Sequence, residues 1–307
     1  MRQRTFSRPI RVCVLGLAAL VSSCLAWRTA QVHHASLVFS HYFGGRTGTC
    51  DLRHSFDGEA ITRLQEANFE ELSAASRVTA SDAVYQKWST PLGEYWMPRA
   101  SGNALLYDLA EQKRNIYGDR IRKGDVVLDC GANVGVFVRK SLAAGASKVI
   151  AIDPAPESVE CLRRNFVREI AAGTVVVCPK GVWDKDDVLN LAIDPRNSAE
   201  DSFVRKIENP GLVAVPLTTI DKLVGELGLS RVDFIKMDIE GAERKAIAGA
   251  ENTIKRFRPR MALCIYHVSG DEIAIPRMVR ALVPGYAVGQ SCLCALNRVQ
   301  PEVAFFY

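Results

Sequence analysis

The alternation of short β-branched runs with longer amphipathic ones predicts an α/β chain built on a doubly wound, mostly parallel sheet, a Rossmann-like arrangement. Three observations carry this. Continuous apolar strands recur from residue 125, each is followed by a helical segment, and the first strand opens into a glycine turn. Length fits, since 307 residues can bury a full core.

The elements run in order. DVVLDCG (125–131) reads as a strand and Asn133–Ala144 as a helix; KVIAIDP (148–154) is a strand, and Pro156–Ala171 a helix with proline in its first turn. TVVVCPKGV (174–182) is a third strand, and DVLNLAI (187–193) with LVAVPLT (212–218) looks like an inserted pair. Thr219–Leu227 is a short helix, VDFIKMD (232–238) a strand, Glu243–Phe257 a helix, MALCIYH (261–267) a strand, Ile275–Val283 a helix, and VAFFY closes the chain. Upstream, Ala104–Tyr117 has helical spacing and stops at Gly118, and Glu59–Leu72 is a short helix within an otherwise irregular segment. The expected divisions are a leader (1–28), a linker with the irregular segment (29–90) and a catalytic domain (91–307).

At 48% hydrophobic and 24% charged the chain is ordinary globular material, which excludes a disordered or polytopic membrane protein. Its net charge of +5 is unevenly placed. The first 50 residues hold six arginines and no acid, leaving 33 basic against 34 acidic groups beyond them, so a nucleic-acid partner is not expected. After four arginines comes the apolar run Val12–Trp27, closed by Arg28. Sixteen helical residues reach about 24 Å, short of a full bilayer core, but the basic-then-apolar order predicts a signal or anchor segment and membrane association. A cytoplasmic location is the alternative. Nine cysteines without a CxxC, several inside apolar runs, predict buried free thiols rather than a disulfide framework or zinc site. His33, His34, His41 and His54 have no matching ligand spacing, and no metal is expected.

A doubly wound sheet binds its ligand at the carboxyl ends of the strands around the switch point. The first turn, Asp129-Cys-Gly131-Ala-Asn133-Val-Gly135, departs from the dinucleotide GxGxxG at Asn133 and Val136. Asp129 would repel a pyrophosphate but suits a ligand with an ammonium group, such as S-adenosylmethionine. Asp153, at the end of the next strand, can accept two hydrogen bonds from ribose hydroxyls. Trp183 and Asp184 after the third strand suit an adenine ring, by stacking and by accepting from its amino group; packing against the inserted strands is the structural alternative for Trp183. The cofactor-binding set is therefore Asp129, Gly131, Asn133, Gly135, Asp153, Trp183 and Asp184.

The segments DVVLDCGANVGVF, VIAIDPAPESVECLRRN and especially VDFIKMDIEGAERKAIAGAENTIKRFRP resemble those of the FkbM-type class I methyltransferases. The resemblance covers about residues 91–307, including PLGEYWMP and the later Tyr-His pair with Asp271; KMDIEGAE is its specific part. Asp153 is a departure, since many members carry Glu-Pro there. The resemblance implies the seven-stranded sheet of that class and methyl transfer from S-adenosylmethionine, most often to a hydroxyl of a sugar or polyketide-like small molecule, hence a small-molecule or glycan acceptor.

A hydroxyl acceptor needs a base, and the ends of the fourth and fifth strands offer Asp238, Glu240 and His267. His267 or Asp238 is expected to take the acceptor proton while Glu240 orients the hydroxyl. Lys236 shares a strand face with Asp238 and is expected to pair with it or with Glu243. The competing functions are a nicotinamide-dependent oxidoreductase, disfavoured by Asn133 and Asp129, and a membrane-tethered binding protein without turnover. Oligomeric state is not legible.

Overall fold

The structure is a computed structural model that describes residues 36, 39, 43 and 49–307, apart from 119, 195, 196, 296 and 297. The apolar run at 12–27 lies outside these residues; among them, no helix is long and apolar enough to cross a membrane.

The chain enters through helix α1 (Leu52–Ala75), capped by the Asp51 carboxylate, which accepts from the His54 amide. A three-stranded antiparallel sheet comes next: β1 (Arg77–Ser81), β2 (Tyr85–Thr90) and β3 (Gly93–Pro98). The sequence predicts an irregular segment here. β1 is exposed throughout and β2 half-buried throughout, so neither shows the period-two burial that marks a strand in sequence. Thr90 pairs with Gly93 across the turn, so a strand ladder joins the segment ahead of residue 91 to the domain beyond it. Asn165 docks β3 onto the main domain, accepting from the Trp96 amide and donating to the Trp96 and Val134 carbonyls.

Helix α2 (Ala104–Lys113) leads to the main sheet. It ends four residues short of Tyr117, because Asn115 takes φ +60° and unwinds the chain ahead of Gly118. Then come β4 (Val126–Cys130), α3 (Val136–Ala143), β5 (Lys148–Ile152), α4 (Pro156–Asn165), α5 (Val167–Ala171) and β6 (Val175–Cys178). The predicted helix 156–171 is two helices, broken at Phe166 by a φ of −128°. The predicted third strand also divides, its last two residues forming β7 (Gly181–Val182) in a separate small sheet with β9 (Gly211–Thr218) and β8 (Asp187–Ile193). The inserted strands pair antiparallel as expected.

The chain continues through α6 (Ile220–Glu226), β10 (Phe234–Met237), α7 (Glu243–Ala248), α8 (Glu251–Phe257), β11 (Arg260–Cys264), α9 (Asp271–Leu282), β12 (Val288–Ala295) and β13 (Arg298–Phe306). Helix 243–257 is likewise two helices, divided at Gly249, where a Cβ would lie 1.9 Å from the Trp183 carbonyl oxygen.

The seven strands run in the order β12-β13-β11-β10-β4-β5-β6, parallel from β11 to β6, with β13 antiparallel to both its neighbours. Strand β4 lies between β10 and β5, so the order reverses there and a crevice opens above the carboxyl ends of β4 and β10. Leu128, Ile150, Ile235 and Leu263 point to one face, beneath α6–α9, while Val127, Val149, Phe234 and Ala262 point to the other, beneath α3 and α4. Both faces are covered, which is why these strands read as unbroken apolar runs.

Cys50 and Cys292 form a disulfide linking the start of α1 to β12. The expectation of free thiols fails for this pair, which stands in the flanks rather than in the central strands. It holds for Cys130, Cys161, Cys178 and Cys264, all buried and unbridged.

Candidate active site

The first turn is built by backbone constraint. Gly131 takes φ +79°, and a Cβ there would stand 1.8 Å from the Asp238 carbonyl oxygen, so only glycine lets β4 and β10 close together at their ends. Gly135 takes φ +91° against the Phe166 ring, 2.2 Å from where a Cβ would be. Asn133 sits between them at φ +46°, a conformation asparagine tolerates, and donates to Asp108 at 3.1 Å.

Asp153 lies on the wall of the crevice beside Gly131 and Asn133. Its two oxygens accept from the Asn133 and Ala155 amides at 2.8 and 3.0 Å. A carboxylate has about four acceptor positions, so two remain for ribose hydroxyls. Burial pushes its pKa up to about 6, against the pull of those two amides. Asp201, which sequence reasoning missed, lines the same wall, and burial raises it to about 8.

Asp129 is not on the wall. It is wholly buried and faces the Lys236 ammonium at 3.2 Å, its directly opposed partner in the β4–β10 register. Lys236 also donates to the Gly131 carbonyl at 2.5 Å. Burial works against the lysine charge, but Asp129 and Asp238 hold its pKa above the ordinary value. The partner of Lys236 is thus Asp129 rather than Asp238 or Glu243, and Asp129 braces the glycine turn through it. Trp183 and Asp184 also depart from expectation. Trp183 meets Phe203 edge-on and Asp184 pairs with Lys245 at 2.7 Å. The wall there is made by Lys180, Gly181, Val182 and Phe203.

A second hollow, on the α2 side of the turn, is lined by Asp108, Glu111, Tyr117, Lys236, Asp238 and Glu240. Burial, with the Asp238 charge, raises Asp108 to about 7; burial, with the Asp108 charge, raises Glu111 to about 8. Sequence reasoning missed these two acids as well. Their spacing of three on a helix that buries Leu105, Leu106 and Leu109 is the signal that could have found them.

Asp238, Glu240 and His267 come together. His267 stands three residues beyond β11, and its Nε2 lies 3.3 Å from Asp238 and 3.2 Å from Glu240. Its Nδ1 meets Glu243 at 2.9 Å. Tyr117 donates to the other Asp238 oxygen, and Arg205 pairs with the other Glu240 oxygen. Burial lowers the His267 pKa, but Glu240 and Glu243 outweigh it and raise it to about 11.

The strand order with its single antiparallel strand, the glycine turn and the Asp153 wall define a class I S-adenosylmethionine-dependent methyltransferase. The chain belongs to the FkbM-type methyltransferase family, matching the methyltransferase FkbM domain over residues 129–283. It is 27% identical over 198 residues to the 31-O-demethyl-FK506 methyltransferase FkbM of Streptomyces tacrolimicus, covering 55% of this chain and 75% of that one. It is 23% identical over 137 residues to the hexuronic acid methyltransferase AglP of Haloferax volcanii, covering 45% and 54%. A solved FkbM methyltransferase from Methylobacillus flagellatus superposes with a TM-score of 0.46 at 19% identity, covering 86% of this chain and 64% of that one. The chain thus spans about half of the Haloferax relative and less than two thirds of the Methylobacillus one.

The residues present fit S-adenosylmethionine. The acid-walled hollow of Asp108 and Glu111 leaves a surplus of carboxylates for a ligand bearing ammonium and sulfonium charges, and Asp153 keeps acceptor positions for its ribose.

Proposed function

We propose that this methyltransferase acts on a hydroxyl oxygen of a sugar, glycan or small-molecule acceptor. The observation that carries the reading is the convergence of His267 on Asp238 and Glu240, the two acids that line both the crevice and the acid-walled hollow. S-adenosylmethionine supplies an electrophilic methyl group. Asp153 holds the ribose side, Asp108 and Glu111 meet the ammonium, and the inserted strands with Phe203 border the adenine side. Asp238 takes the acceptor proton, since its outer oxygen is fixed by Tyr117 and its inner oxygen faces the cluster. His267, carrying its own proton at neutral pH, balances the Asp238 and Glu240 charges, and Glu240 orients the hydroxyl. The two relatives named for O-demethyl-FK506 and hexuronic acid support an oxygen acceptor.

The test is methyl transfer from isotopically labelled cofactor to a panel of uronic acids, neutral sugars and hydroxylated macrocycles, with mass spectrometry locating the methyl. Asp238→Asn should lower turnover by about 10²–10⁴ while the cofactor Kd moves little. Methylation confined to nitrogen or carbon acceptors would refute the reading.

A membrane-associated location with the domain on an oxidising side is also proposed. The leader at 12–27 supports it, as does the Cys50–Cys292 bridge, because disulfides persist where thiol reductants are scarce. Protease protection of a tagged C-terminus in intact membranes tests it, and full digestion without detergent would overturn it.

A further inference from the structure

Glu243 is wholly buried, and as a carboxylate it can only accept from His267 Nδ1. The network therefore assigns the Nδ1 proton and aims Nε2 at the carboxylates of Asp238 and Glu240. That imidazole is itself 1% exposed, and its Nε2 makes no geometrically sound hydrogen bond although carboxylate oxygens lie 3.2 and 3.3 Å away. One Asp238 oxygen is likewise buried without a hydrogen-bond donor. Once Nε2 gives up its second proton to an incoming ion, three ligand atoms, His267 Nε2 and one oxygen each of Asp238 and Glu240, lie within 4.8 Å of one another.

The two separations from His267 Nε2 suit a shared ion. Donors about 2.1 Å from one centre stand about 3.0 Å apart along an octahedral edge and about 3.4 Å along a tetrahedral one. The observed 3.2 and 3.3 Å fall between. Each donor is also held from behind: His267 by Glu243, Asp238 by Tyr117, and Glu240 by Arg205. A carboxylate behind a histidine is the usual orienting partner of a metal ligand. Glu240 is kept in place at φ +55°, an unfavourable conformation for a residue with a side chain, by the Ser202 hydroxyl donating to its carbonyl. With the His267 proton displaced by the ion, the Asp238, Glu240 and Glu243 carboxylates against the Arg205 guanidinium leave two negative charges, which a divalent ion balances.

We propose that Asp238, Glu240 and His267 bind a divalent transition-metal ion, of the Mn²⁺ or Zn²⁺ kind, with open positions toward the crevice for an acceptor oxygen. One imidazole and two carboxylates favour such ions over Ca²⁺ or Mg²⁺, which prefer all-oxygen sites. The inference rests on the proposed hydroxyl-acceptor function of this cluster. In the ion-bound form Asp238 would be a ligand rather than the base: the ion would lower the pKa of a coordinated hydroxyl, which would give its proton to solvent water and its electron pair to the methyl carbon as the sulfonium–carbon bond breaks.

The test uses metal-stripped whole protein titrated with MnCl₂, followed by electron paramagnetic resonance, and with ZnCl₂, followed by calorimetry. One ion per chain is expected. His267→Gln and Glu240→Gln should each weaken binding by at least about tenfold, and Glu243→Gln by about 10–100-fold. Melting curves verify folding, and Glu240→Gln, at the more exposed position, stands if His267→Gln fails to fold. Absence of saturable binding to a wild type that still binds S-adenosylmethionine would overturn the inference, as would binding unchanged in folded Glu240→Gln. If the ion binds and no hydroxyl acceptor is methylated, the site stands and the proposed acceptor class falls.

Discussion

Replacing Asp129 with asparagine separates two roles for that carboxylate. In the structure it neutralises Lys236, only 4% exposed, and touches neither wall of the crevice. Removing one member of a buried pair costs about 3–5 kcal/mol, because the remaining charge stays desolvated. Here the cost should sit near about 3 kcal/mol, since the Gly131 carbonyl and Asp238 still face the ammonium. For a domain of this size each kcal/mol moves Tm by about 2–4 °C, so Tm should fall by about 6–12 °C. Scanning calorimetry measures this, and titration with S-adenosylmethionine well below the variant's Tm measures what is left of binding. We expect a large loss of stability and a small loss of affinity. The double variant Asp129→Leu with Lys236→Met should recover much of the stability, because an apolar pair leaves no stranded charge. An unchanged Tm with cofactor binding abolished would show that Asp129 contacts the ligand directly and does not act as a brace.

Groups outside that pair give two more expected outcomes. Asp108 and Glu111 have folded-state pKa values of about 7 and 8, above their ordinary values, so the free protein holds extra protons and loses stability as pH rises from about 4 to 8. A cationic cofactor favours their ionised forms, so its binding should release protons and weaken as pH falls, about tenfold per unit between about 8 and 7 and more steeply below, where both acids start protonated; calorimetry in buffers of different ionisation enthalpy reads the release, and proton uptake would refute the assignment. Cys50→Ser, or reduction, opens a loop of 242 residues, for which chain entropy sets a loss of up to about 5 kcal/mol. A melting point insensitive to reductant would show that the bridge contributes nothing.

The central sheet is legible in the sequence because its strands are buried on both faces, and KMDIEGAE and the glycine turn mark the strand ends that carry the site. Asp238, Glu240 and His267 converge as their positions imply, since strand ends share one rim. Pairing across strands is not written in the sequence in the same way. Only the register sets Lys236 opposite Asp129, and no periodicity along one strand contains that information. Helix breaks at Phe166 and Gly249 are hidden for a similar reason: the Gly249 kink is set by the approach of the Trp183 backbone, 66 positions away. Trp183 reads as a ligand platform from its type, whereas Phe203, in a segment with no pattern of its own, lines the wall.

The Cys50–Cys292 bridge has a mechanical meaning. It fastens the head of α1 to β12, the outermost strand on one side of the seven, while the crevice lies above β4 and β10 in the interior of the sheet. Tension arriving along the chain at Cys50 is therefore delivered covalently to the rim of the sheet. A load entering at that point reaches the edge of the sheet without crossing the cleft above β4 and β10.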